Sequence, residues 1–165
     1  MLRRTLITAA GALLLTGLTG CGFQLRGQLE VPEHLRQLSL VQHAHNYRLT
    51  TSLIETLHLN QLEVSTQAPY RLELLKVVEN RRTVTLDRAA RVDEYELTLR
   101  VDYQVTNRQE QLVLEPQTLS TERVYTYDAN AATAAAEQEV LLKQEMADDL
   151  ARQLVRRYLT IKPAE

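Results

Sequence analysis

Tryptophan is absent, phenylalanine and cysteine occur once each, and the 165 residues hold only five glycines and four prolines. A lone cysteine excludes an internal disulfide framework. So few glycines and prolines exclude a collagen-like or low-complexity chain. Positive charge is not in excess, with 19 Lys and Arg against 21 Asp and Glu, so bulk electrostatics argue against a nucleic-acid partner. There is no phosphate-cradling glycine loop, no Gly-x-Ser-x-Gly nucleophile and no zinc-type spacing of Cys and His. An enzyme is therefore not expected, and neither is a metal or a dissociable cofactor.

What is present is a chain that is 44% hydrophobic and 24% charged with a net charge of -2, enough apolar material for one core and too little charge to keep it expanded. Seven tyrosines point to an aliphatic core with aromatic side chains whose hydroxyls reach polar partners.

The first residues set the compartment. Met1-Leu2-Arg3-Arg4 is a positive leader, and Leu6 to Leu18 is an uncharged apolar stretch shorter than the ~20 residues of a membrane span. It ends in Leu18-Thr19-Gly20-Cys21, which resembles the lipobox of bacterial lipoprotein signal peptides. That resemblance implies cleavage before Cys21 and a covalent diacylglycerol and N-acyl lipid on its thiol and amine. Residues 1–20 are then a cleaved signal peptide, 21–34 a lipidated tether containing Gly22, Gly27 and Pro32, and 35–162 a single domain. Without Arg3 and Arg4 the mature chain has 17 basic and 21 acidic residues, a charge of -4. Each buried methylene of an acyl chain contributes about 0.8 kcal/mol, so several chains hold the protein at a membrane. In lipoproteins Asp after the cysteine is the usual inner-membrane signal; Gly22 here implies the outer membrane.

Within the domain, Leu35, Leu38, Leu40 and Val41 predict a short strand, and His43 to Asn46 a polar turn. Leu49, Leu53, Ile54 and Leu57 fall at helical spacing over 47–59, with Asn60 placed to end the helix in a left-handed conformation. From Tyr70 to Leu86 the pattern predicts one long strand with a phase change near Leu74-Leu75. Tyr95, Leu97, Leu99, Val101, Tyr103 and Val105 alternate with polar residues, the period of a strand with one buried face. After a turn at 107–110 a further strand runs to Tyr127, which Pro116 should either interrupt or place at an edge. From about 131 to 159 helix formers dominate, and Leu142, Met146, Leu150, Leu154 and Tyr158 form one stripe. Lys143 and Arg157 fall inside that stripe and need partners, and Asp148 with Arg152 is an i,i+4 pair. The expected fold is α+β, a two-layer sandwich with two helices on one face of a four-stranded mixed or antiparallel sheet.

Four histidines, His34, His43, His45 and His58, lack metal-site spacing and read as surface residues. The carboxylate pairs Asp93-Glu94 and Asp148-Asp149 read as solvated faces. Arg81, Arg82, Arg88 and Arg91 against the single acid Asp87 give residues 81–91 a charge of +3 in an acidic domain, with 87–90 at a hairpin tip. Guanidinium forks suit phosphate and carboxylate, so an anionic lipid headgroup is the natural ligand, while a charge-blunted edge strand explains the same residues equally well.

Cys21-Gly22-Phe23-Gln24-Leu25-Arg26-Gly27 followed by Val31-Pro32 resembles the start of the mature LptE family of lipopolysaccharide-assembly lipoproteins. The hairpin followed by Glu94-Tyr95-Glu96-Leu97 and the closing helix with Lys143-Gln144-Glu145-Met146 and Gln153-Leu154-Val155-Arg156-Arg157 extend the resemblance over most of the mature chain. It implies two helices on a four-stranded sheet and residence in the outer membrane of a Gram-negative bacterium. The implied partner is the barrel protein LptD, which the family plugs and helps to assemble, and the implied ligand is lipopolysaccharide. The family's basic tip residue aligns with Arg88, and its usual Asn-Gly is replaced by Ala89-Ala90. The competing reading is a free lipid or lipoprotein carrier anchored in the outer membrane, which would need an open apolar cavity.

Overall fold

A computed structural model describes residues 31–162. A 3-10 turn at Glu33–Leu35, the first of two (the other is Ala129–Ala131), leads into strand β1 (Gln37–Gln42), helix α1 (Tyr47–Leu59) and strand β2 (Glu63–Val64). Strands β3 (Tyr70–Leu86), β4 (Val92–Asn107) and β5 (Leu112–Thr126) then form a meander, and helix α2 (Ala132–Tyr158) closes the chain. The strands lie in the order β2-β1-β3-β4-β5. β1 runs parallel to both β2 and β3, whereas β3, β4 and β5 are antiparallel, so the sheet is mixed.

The sheet has five strands where the pattern predicted four. The additional one, β2, is two exposed residues long and is held by Glu63 N–H to Arg36 O at 2.8 Å and Ser65 N–H to Leu38 O at 2.9 Å. Two exposed residues have neither the length nor the alternation by which a strand is recognised. The bulge expected near Leu74-Leu75 is present, as a register shift between Leu74 and Lys76 against β4. Pro116 lies in edge strand β5, where its missing N–H breaks no ladder of a central strand.

Both helices cover the same face. Leu49, Leu53 and Leu57 of α1 and Met146, Leu150 and Leu154 of α2 are buried with Leu72, Leu97, Leu99 and Val101 of the sheet in one cluster. Each such side chain contributes about 1.5–3 kcal/mol by leaving water. The alternating residues of β4 thus face the helices, as their period of two requires. Three tyrosines of this layer bury their rings and satisfy their hydroxyls: Tyr158 donates to Gln37 O at 3.1 Å, Tyr103 to Gln117 Oε1 at 3.1 Å and Tyr125 to Glu139 Oε2 at 2.5 Å.

Between the helices, the buried Ser52 donates to Asp148 Oδ1 at 2.6 Å, and Gln144 donates to both at 3.0 Å. Asp148 therefore does not pair with Arg152; that arginine meets Asp149, one residue closer, because Asp148 is turned toward α1. Asn46 caps α1 by accepting from Leu49 N–H at 3.0 Å. All five glycines precede residue 28, so the folded residues contain none, and left-handed backbone falls to Gln61, Ala90 and Glu110 at φ near +60°. Asn60 at φ -94° is not left-handed; Gln61 takes that role one residue later.

Candidate functional site

The β3–β4 hairpin is the longest feature of the sheet. β3 has 17 residues, which at about 3.3 Å each carries its tip some 55 Å from Tyr70. At the tip, Asp87 N–H donates to Arg91 O at 2.7 Å and Ala90 N–H to Asp87 O at 3.0 Å, enclosing Arg88-Ala89-Ala90 in a three-residue loop. The Asp87 carboxylate accepts from the Ala89 and Arg91 amides at 2.8 and 2.9 Å and from Arg91 Nε at 2.9 Å. The Arg91 amide foremost, with that side chain and the Ala89 amide, holds the carboxyl below its ordinary range. A three-residue loop needs one left-handed residue at its end, supplied by Ala90. The tip therefore forms without Asn-Gly because it is one residue longer than a two-residue turn.

The four arginines do not converge. Adjacent strand residues face opposite sides of a sheet, so Arg81 and Arg82 are separated by the sheet itself. Arg81 lies on the helix side, 2.8 Å from Glu139 Oε2 and with its guanidinium 4.6 Å from the Tyr95 ring centroid. Arg82 grips Glu96 on the opposite face through two bonds of 2.6 and 2.8 Å. Arg91 belongs to the turn through Asp87. Arg88 is exposed at the apex and, among the described residues, has no carboxylate partner and no hydrogen bond. Two and four residues before it in β3, Leu86 and Val84 are 58% and 42% exposed. An open guanidinium at the end of a strand with exposed apolar side chains can grip an anionic group of an amphiphile.

Beneath the tip, the first half of α2 is fastened to the sheet by ions. Lys143 Nζ sits 2.9 Å from both Glu79 and Glu139, supplying the partners its place in the apolar stripe required. Burial pushes the Glu139 carboxyl up, but hydrogen bonds from Tyr125, Lys143 and Arg81 outweigh it and bring the pKa down to about 2. Burial, and then its bond to Glu139, push the Tyr125 hydroxyl up to about 12. Tyr95 packs on Tyr125 and Tyr127 at 5.8 and 5.4 Å, giving the hairpin an aromatic base.

A shallow cleft of about 290 Å³ opens beside the tip between Asp87, Arg91, Val92, Tyr127, Asp128 and Asn130. The sequence pattern did not reveal it, because Tyr127 to Asn130 arrive from the β5–α2 connection. Of the histidines, His43 lies 3.5 Å from Glu73, and His34 is 3.4 Å from Ile161 O. Among the described residues no three His, Cys, Asp or Glu side chains gather as a metal site, and no helix is long and apolar enough to cross a membrane. Cys21 lies outside the described residues.

The family model described as "LptE: Lipopolysaccharide-assembly" matches residues 35–158, which covers the whole sheet, both helices and the hairpin. The chain belongs to the LptE family. The LPS-assembly lipoprotein LptE of Yersinia enterocolitica is 33% identical to it, with 100% of this chain and 80% of that protein covered. The protein of the same name from Pectobacterium atrosepticum is 30% identical over 99% of this chain and 90% of its own length. Among solved structures, a minor lipoprotein from Acinetobacter baumannii superposes with a TM-score of 0.67 at 29% identity, covering 79% of this chain and 97% of that one. This is a lipoprotein family of lipopolysaccharide assembly, and the mixed sheet with two helices on one face is its architecture here.

Proposed function

We propose that this LptE-family chain is exported, lipidated on Cys21 after removal of residues 1–20, and held in the outer membrane, where it occupies the lumen of the LptD barrel and contacts lipopolysaccharide in transit to the outer leaflet. The observation that carries the reading is the unpaired Arg88 at the apex of the long hairpin, in a chain whose family model spans residues 35–158. Arg81, Arg82 and Arg91 act behind it by bracing the hairpin, and Arg88 is the residue that meets phosphate.

The sheet face away from the helices fits a polar lumen, since barrel interiors are polar. Arg82–Glu96, Arg100–Asp102 and Thr118–Asp102 link its side chains in rows. A plug works mechanically: it fills the lumen, and the tip's guanidinium draws glycolipid phosphates apart from their neighbours. A free carrier needs an open apolar cavity, and here the apolar sheet face is already filled by α1 and α2.

The test is a detergent pull-down from outer membranes with a C-terminal tag and Cys21 intact. Recovery of a stoichiometric large barrel supports the plug. Recovery of the lipoprotein alone, from membranes that contain the barrel, rejects it in favour of the carrier. Within a recovered complex, Arg88→Ala is expected to weaken lipopolysaccharide binding.

A further inference from the structure

The two edges of the sheet are unequal. β2 offers two residues, whereas β5 leaves its outer side without a strand partner from Leu112 to Thr126. The direction of its free backbone groups follows from the pairing. Tyr127 N–H donates to Asp93 O at 2.7 Å, and the antiparallel register with β4 runs unbroken from Thr126 opposite Glu94 to Gln117 opposite Tyr103. Odd-numbered residues of this stretch therefore exchange hydrogen bonds with β4, and the N–H and C=O of Thr118, Ser120, Glu122 and Val124 point outward. Protein edges are ordinarily blunted by lysine, proline, a bulge or a covering element. Between Gln117 and Thr126 there is no lysine, proline or register shift, and α2 lies on the face, anchored by Arg123 to Asp149 and Tyr125 to Glu139.

We propose that this edge is a docking strand: an extended segment of the barrel partner adds to β5 as a sixth strand and places a basic residue against Glu122. The proposal rests on the barrel-partner reading. The four residues with outward backbone groups carry their side chains on the face away from the helices, and Glu122 is their one charge, with no ion pair among the described residues. The strand's own arginine, Arg123, is committed to Asp149 on the other face. Arg100, which reaches Thr118 Oγ1 at 3.3 Å, and Arg82 stand behind the edge on that face but are held by Asp102 and Glu96, so a second copy would set acid against acid at Glu122, whereas a basic polar segment complements it. Main-chain hydrogen bonds supply affinity in such strand addition, and the alternate side chains supply register.

Two variants test it. Ser120→Pro removes an outward N–H that no internal bond uses, and Glu122→Lys reverses the charge. Each is introduced into the tagged full chain with Cys21 intact, and barrel recovery is compared with the unaltered chain, while the melting temperature of the purified full chain in detergent monitors folding. Both variants are expected to lose barrel by about tenfold, the factor carried by 1.4 kcal/mol, with the domain still folded. If Ser120→Pro unfolds, Glu122→Lys alone decides. Barrel retained at the unaltered level in a folded variant overturns the docking strand and leaves the plug intact. No barrel with the unaltered chain rejects the plug itself. A dimer of the purified full chain that Ser120→Pro abolishes assigns the edge to a second copy and overturns the proposal.

Discussion

The sheet carries two hairpin tips built on one plan. Asp87 and Asn107 each close a three-residue loop, each side chain accepts amide hydrogens two and four residues ahead, and each loop ends in a left-handed residue, Ala90 or Glu110. Each also places an arginine directly after the closing residue. Arg108 turns back and binds the carbonyls of Gln67 and Ala68, tying the β4–β5 tip to the chain ahead of β3. Arg88 makes no such bond among the described residues: the chain nearest the β3–β4 tip, Tyr127 to Asn130, is set off from it by the cleft. The same turn is therefore structural at one end and open to a ligand at the other, and what separates them is the surrounding chain rather than the motif.

The ends also differ in what holds them. The end near Tyr70 rests on Leu35, Leu38, Leu72 and Leu154, all fully buried, while the hairpin end rests on the Glu79–Lys143–Glu139–Arg81 series. Acid should separate them. The Glu139 carboxyl titrates at about 2 in the fold against 4.5 for the unperturbed group. The stability it contributes is complete above pH 4.5 and is lost as pH falls toward 2, on the order of 3 kcal/mol. Hydrogen exchange is expected to accelerate first in residues 79–86 and 94–99 and last in 70–74, and Glu139→Gln should flatten the acid limb of the stability curve. Uniform loosening of both ends would remove the distinction.

Exchanging the arginines gives the next largest effect. Arg108→Ala should lower stability by roughly 1 kcal/mol through lost bonds to two carbonyls, without altering glycolipid binding. Arg88→Ala should leave the melting temperature where it is and weaken binding. Chemical denaturation and a glycolipid binding assay on both variants check this crossed pattern. The smallest effect belongs to the turns: Ala90→Gly and Glu110→Gly should each stabilise by roughly 0.5–1 kcal/mol by relieving left-handed backbone, measured by thermal unfolding. Unequal gains would show that the two loops are not built alike.

Much of this was legible in residue patterns. The period of two in β4, the phase change at Leu74-Leu75 and the stripe of α2 follow from which residues must leave water, and Lys143 announced a partner by sitting in an apolar arc. β2 was not legible, since two exposed residues carry no period. Nor could local charge show that Arg81, Arg82 and Arg91 are already engaged. Their partners Glu139 and Glu96 are distant in sequence, and Asp87 serves the turn as well as the charge. Only the tertiary contacts single out Arg88.

Arg88 is the residue proposed to meet glycolipid. The most direct test replaces Arg88, and separately Arg108, with a photo-crosslinking amino acid in the full lipidated chain in Gram-negative cells, followed by probing the adducts for lipopolysaccharide. Adducts at position 88 and none at 108 are predicted. No adduct at 88, or equal adducts at both tips, would exclude Arg88 as the glycolipid contact.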